Sequence, residues 1–120
     1  MAKYIDGYVL PIQKNKLSEY KRMAQKAGKL WIKYGALAYF ETVGEDLNPK
    51  FAGIKFPKTV NSKPGETVVF SFVIFKSRKH RDQVNEKVIK DPMMNEYKDI
   101  PMPFDMKRMV YGGFDVIVDL

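Results

Sequence analysis

The sequence predicts an α+β fold with strands and helices in the order β-α-β-β-α-β, and three observations carry that prediction. Residues 66–75, ETVVFSFVIF, are almost continuously apolar and nearly all β-branched or aromatic, which is the pattern of a central strand. Two stretches with apolar residues at helical spacing lie on either side of it, over residues 16–34 and 78–90. Shorter strand patterns stand at 4–12, 36–43 and 109–118. Along the central strand Val68, Phe70, Phe72 and Ile74 share one face, while Thr67, Val69, Ser71, Val73 and Phe75 share the other. Both sets are mainly apolar, so both faces of this strand need a cover.

In the first strand, Tyr4, Asp6, Tyr8 and Leu10 share a face, and Asp6-Gly7 inside it suggests a bulge or a close backbone approach. Asn15 is suited to cap the first helix and Gly35 to end it. Leu17, Tyr20, Ala24, Ala27, Leu30, Trp31 and Tyr34 form its apolar side. Arg22, Lys26, Lys29 and Lys33 form a basic stripe opposite. The second strand places Glu41 in the company of Leu37, Tyr39 and Val43. Residues 44–65 make a long connection with three proline-bearing turn signals. Its apolar residues Phe51, Ile54, Phe56 and Val60 predict that it packs down, and its length suggests a lid over a pocket.

Ser77 caps the second helix and Asp91-Pro92 ends it. That helix has a thin apolar side of Val84, Val88 and Ile89, with Arg81 and Asn85 beside it. Residues 93–97 suggest another turn and 101–105 an extended loop, and Gly112-Gly113 suggests a bulge in the last strand. The order as a whole is that of a ferredoxin-like βαββαβ domain spanning residues 1–120. It has a four-stranded antiparallel sheet with two helices on one face and an open second face.

Bulk properties narrow the function classes. The chain has 120 residues and no cysteine, so disulfides, thiolate metal sites and cysteine nucleophiles are excluded. A single histidine leaves no histidine cluster for a metal, and no cofactor motif is present. Nothing approaches the roughly 20 apolar residues of a membrane span, and the start lacks a signal-peptide pattern, so the expected compartment is the cytoplasm. The formal net charge of +7 favours anionic partners.

Two uses of the open face follow. The stretch Val68–Phe75 resembles the third-strand pattern of RNA-recognition motifs, with Phe70 and Phe72 placed to stack on bases. Against RNA, Val68 and Val69 stand where that pattern has a cation and a glycine, and the basic stripe lies on a helix. The preferred use is pairing with a second copy, which buries both open faces as a dimeric α+β barrel.

The chain also resembles the YbaA-like family of small bacterial proteins, a domain of unknown function. The resemblance runs through residues 4–9 (YIDGYV), 66–71 (ETVVFS), Arg81-Asp82, 85–87 (NEK) and 91–94 (DPMM). It is most specific at 102–109 (MPFDMKRM) and Gly112-Gly113-Phe114, and continues to 117–119. It implies the dimeric α+β barrel arrangement. The wider superfamily includes cofactor-independent monooxygenases, small isomerases, haem-handling enzymes and ligand-sensing domains, so it implies no particular reaction.

The residues themselves give the candidate site. Glu41, on an apolar strand face, and Asp6 are the candidates for proton transfer. Arg81 and Asn85, one helical turn apart, are candidates for holding an anionic or carbonyl-bearing ligand. Asp105 and Arg108 stand where a pocket mouth would lie, with a structural ion pair as the plainer reading. His80, beside Arg78, Lys79 and Arg81, reads as a surface residue. The expected function is metal-free and cofactor-free binding or transformation of a small organic molecule by a homodimer. RNA binding and a purely structural dimer are the alternatives.

Overall fold

The structure, a computed structural model, describes residues 2–120. Four strands, β1 (Tyr4–Gln13), β2 (Ala38–Val43), β3 (Glu66–Phe75) and β4 (Val110–Asp115), form one antiparallel sheet in the order β2-β3-β1-β4. Two helices, α1 (Leu17–Lys33) and α2 (Arg78–Lys90), complete the ferredoxin-like α+β fold. β3 is central because its sequence can be buried on both sides, and β1 pairs with it along all ten residues from Tyr4↔Phe75 to Gln13↔Glu66.

The register sorts the side chains. The helix-covered face carries Tyr4, Asp6, Tyr8, Leu10 and Ile12 from β1. From the other strands it carries Val69, Ser71, Val73, Phe75, Tyr39, Glu41 and Tyr111. Two apolar clusters form on it. Leu10, Ile12 and Val69 pack with Tyr20 and Ala24 of α1; Tyr4, Val73 and Phe75 pack with Leu30, Val84 and Val88. The open face carries Ile5, Val9, Ala38, Phe40, Phe70, Phe72, Ile74, Val110 and Phe114, and its one charged strand residue is Glu66 at the end of β3. Phe70 is 42% and Phe114 60% exposed there.

Several local expectations need correction. Asn15 does not cap α1: residues Lys14–Lys16 form a 3₁₀ turn that runs straight into the helix, and no side chain caps it. Gly35 ends α1 at φ +116°, a conformation that suits glycine. Neither glycine pair makes a bulge, because pairing continues through Gly7↔Gly112 and Asp6↔Gly113. Close approach is the reason for these residues: a Cβ at Gly113 would run into the Tyr4 ring.

β4 is shorter than expected: its pairing with β1 ends at Tyr4↔Asp115, followed by one further backbone bond from the Val116 N–H to the Lys3 carbonyl at 2.9 Å. The 44–65 connection packs down only in its second half, through the one-turn helix Phe56–Thr59 and buried Val60; Phe51 and Ile54, expected to pack, are exposed. It does so on the open side, where the Phe56 ring lies 6.1 Å from that of Phe70. His80 is half-buried against Phe75, and its Nδ1 accepts the Lys76 N–H at 3.0 Å. No helix among the described residues is long and apolar enough to cross a membrane.

Candidate functional site

Glu41 reaches the helix-covered face because β2 alternates Tyr39, Glu41 and Val43 inward. Its two carboxylate oxygens each accept a tyrosine hydroxyl at 2.6 Å, Oε1 from Tyr20 and Oε2 from Tyr39. Tyr20 arrives from α1 on a ridge with Ala24 and Gly28. At Gly28 a Cβ would stand 2.6 Å from the Tyr39 ring, so the missing side chain is what lets that ring lie against the helix. Burial, reinforced by Glu41, pushes both phenols well above their ordinary range. Both therefore stay protonated and remain donors.

Glu41 stands in the wall of a groove of about 780 Å³ between α1 and β2. Its walls are Leu17, Ala24, Ile32, Val43 and Val69, and Lys21, Gln25 and Lys29 stand along it. No residue of the 44–65 connection lines it, so that connection is not its lid. The tyrosines occupy two of the roughly four lone-pair positions of a carboxylate. No further hydrogen bond to Glu41 is made by a side chain among the described residues.

Asp6 lies on the same face of the sheet and is 1% exposed. Its Oδ1 is 3.2 Å from Arg81 Nη1 and accepts the Tyr111 hydroxyl at 3.0 Å. Its Oδ2 has no hydrogen-bond partner. Burial raises the Asp6 carboxyl above its usual range, and Tyr111, Arg81 and Asn85 pull against that without cancelling it. Arg81 also reaches the hydroxyls of Tyr111 at 2.6 Å and Tyr4 at 3.4 Å. Asn85 Oδ1 accepts the Trp31 indole N–H at 3.0 Å, which ties α2 to α1. Neither Arg81 nor Asn85 lines the groove at Glu41.

Asp105 and Arg108 form a separate assembly. Arg108 holds both oxygens of Glu66 at 2.7 Å, Asp105 Oδ2 at 3.0 Å and the Asn61 carbonyl at 3.0 Å. This joins the approach to β4, the start of β3 and the long connection. Sequence reasoning singled out Glu41 and Asp6 but missed Tyr20 and Tyr39, which read as apolar positions of a helix and a strand, and did not single out Tyr111. The available signal was the phenol itself, since a buried tyrosine hydroxyl normally finds a partner.

The basic stripe of Arg22, Lys26, Lys29 and Lys33 is solvent-exposed. Phe70 and Phe72 lie on the opposite side of the protein, edge to face at 5.6 Å, with Phe72 stacked on Phe40. Among the described residues no three of His, Cys, Asp and Glu come together as a metal-binding group.

This sheet, with its two helices on one face, defines the chain as a ferredoxin-like α+β protein. Two solved structures share that fold across the whole chain. One is a dimeric ferredoxin-like protein from an uncultured marine organism, with TM-score 0.61, 11% identity and 100% coverage of both chains. The other is a putative antibiotic biosynthesis monooxygenase from Bacillus cereus, with TM-score 0.56, 7% identity and coverage of 100% of this chain and 98% of that one. More specifically, the chain belongs to the family described as protein of unknown function (DUF1428), which matches residues 3–106. It is 40% identical over 117 residues to the uncharacterized protein YbaA of Escherichia coli K12, covering 98% of each chain. The same figures hold for YbaA of Shigella flexneri.

Proposed function

We propose that this protein is a cytoplasmic homodimer that binds or transforms a small organic molecule in the groove between α1 and β2. Glu41 is the proton-handling group of that site. The observation that carries the reading is a carboxylate held by two protonated tyrosines in the wall of an otherwise mainly apolar groove. Concave, largely apolar sites with a few convergent polar groups are what small-molecule sites look like. Asp6 is the second titratable carboxyl of the interior, and Arg81 and Asn85 fix its surroundings. Asp105 and Arg108 support the site indirectly, by holding the approach to β4 on β3.

Pairing through the open face is supported by its mainly apolar strands and by its exposed Phe40, Phe70, Val110 and Phe114. A contiguous apolar surface of this kind is uncommon on a monomer. The marine relative in fold is described as dimeric, which agrees with this reading. RNA binding lacks support at the same face, because phosphate contacts need cations and its strands present none.

The test is fluorescence titration of the full chain with 2-naphthol, an apolar body with one hydroxyl to donate to Glu41. The wild type is expected to bind it saturably. Glu41→Gln is expected to weaken binding at least tenfold with its circular dichroism unchanged. Equal affinity in the two proteins would overturn the role given to Glu41.

A further inference from the structure

The α1 side of the groove at Glu41 ends in a polar rim whose charge is all of one sign. Lys21, Gln25 and Lys29 line the groove at steps of four residues, so they stand in a row along one side of the helix. Eight residues of helix rise about 12 Å, so the two lysine stems leave α1 that far apart. All three residues are exposed. Neither lysine makes a salt bridge among the described residues, whereas Lys33 of the same helix stands 3.6 Å from Asp91. Across its whole length α1 sets Lys21, Arg22, Lys26, Lys29 and Lys33 against the single carboxylate of Glu19, so the field along the rim is positive.

The rest of the lining is different in kind. Glu41 is the only carboxylate among the lining residues, and its two oxygens are held by Tyr20 and Tyr39 and by neither lysine. Cations and carboxylate therefore share one groove without neutralising each other. Between them lie the apolar side chains of Leu17, Ala24, Ile32, Val43 and Val69. A second anion placed against Glu41 would be repelled by it, whereas one placed at the rim would be attracted by two cations. A lysine stem can lie along apolar surface while its ammonium stays in water, so each head can follow an anion at the edge of the groove.

We propose that the ligand of this groove is an organic acid, with an apolar body, one anionic oxygen group at the lysine rim and a neutral hydroxyl at the Glu41 end. Lys21 and Lys29 are its specificity-determining residues: they select for the anion, while Glu41 accepts from the hydroxyl at the other end of the body. The substrate class is thereby narrowed from any small organic molecule to a hydroxylated monoacid. This rests on the reading that Glu41 anchors a small organic molecule in the groove.

The experiment compares 2-naphthol with 6-hydroxy-2-naphthoate, the same body with a carboxylate added, by fluorescence titration of the full chain at neutral pH and low ionic strength. The readout is the ratio of the two affinities, in the wild type, Glu41→Gln, the double variant Lys21→Gln/Lys29→Gln and the double variant Arg22→Gln/Lys26→Gln. The last pair removes the same charge from α1 at positions that do not line the groove. Far-ultraviolet circular dichroism checks that each variant keeps its helices. The wild type is expected to prefer the acid about fivefold, in line with two exposed charge contacts, and to lose that preference in half-molar salt. Lys21→Gln/Lys29→Gln is expected to bring the ratio to about one, and Arg22→Gln/Lys26→Gln to leave most of it. Equal or weaker binding of the acid by the wild type overturns the proposal and means that the lysines are only solvated. A preference that survives in Lys21→Gln/Lys29→Gln, or that both double variants lose equally, also overturns it, the latter by assigning the attraction to overall charge. Any of these results, with 2-naphthol binding still weakened in Glu41→Gln, leaves the Glu41 site standing. No binding of either probe at millimolar concentration removes both.

Discussion

Gly28 sits in the middle of α1, where glycine normally costs about 1 kcal/mol relative to alanine. Helix propensity alone therefore makes Gly28→Ala a stabilising change. The Tyr39 ring reverses the sign, because a Cβ would meet it at 2.6 Å and the ring is packed in place by Trp31, 6.0 Å away. Gly28→Ala is expected to lower the melting temperature and to weaken 2-naphthol binding by displacing the Tyr39 hydroxyl from Glu41. A variant that melts higher than the wild type would show that Tyr39 does not need this space. The inward placement of Glu41 was legible in the sequence, since a carboxylate among Leu37, Tyr39 and Val43 stands out. Its partners were not. Tyr20 is 21 residues away, and a tyrosine at an apolar helix position looks like core until its hydroxyl is traced. Asp6 and Arg81 were each legible as candidates, but their pairing spans 75 residues and needed the register of the sheet.

Among the elements, the segment before β4 shows how an ion cluster fixes a boundary. Glu66 opens β3, and Arg108 holds it in a two-bond fork. Those hydrogen bonds hold the Glu66 carboxyl at about 2, against an ordinary value of 4.5. A folded-state value below the unfolded one means that the stabilisation is complete above about pH 4.5. It is lost as the pH falls through the folded value near 2. Glu66→Gln is accordingly expected to melt about 5 °C below the wild type at neutral pH. The gap should close as both are taken from pH 4.5 to pH 2; a gap that is constant with pH would assign the loss to packing instead of charge. The fork was hidden from the sequence because Glu66 read only as the edge of an apolar run. The long connection was misread as a lid for a related reason. Its apolar residues Phe56 and Val60 said that it packs, but only the sheet register says on which face.

At the scale of the molecule, the architecture was legible because β3 is apolar on both sides and its neighbours have clear periods. Local glycine effects were less legible: Gly112-Gly113 looks like a bulge in sequence, but serves close packing beneath Tyr4 and Phe114. The proposed function divides the two faces of the sheet, giving a ligand to the helix-covered side and a second copy to the open side. Phe70→Asp is expected to convert the dimer to a monomer in light scattering, since it puts an unpaired charge in the centre of the pairing surface. A variant that stays dimeric would move the contact elsewhere. The most direct measurement of the whole account is native mass spectrometry of the full chain with saturating 2-naphthol. The account expects a species of twice 13.9 kDa carrying two probe molecules, one for each helix-covered groove. A monomer, or a dimer holding a single probe between its copies, would contradict it.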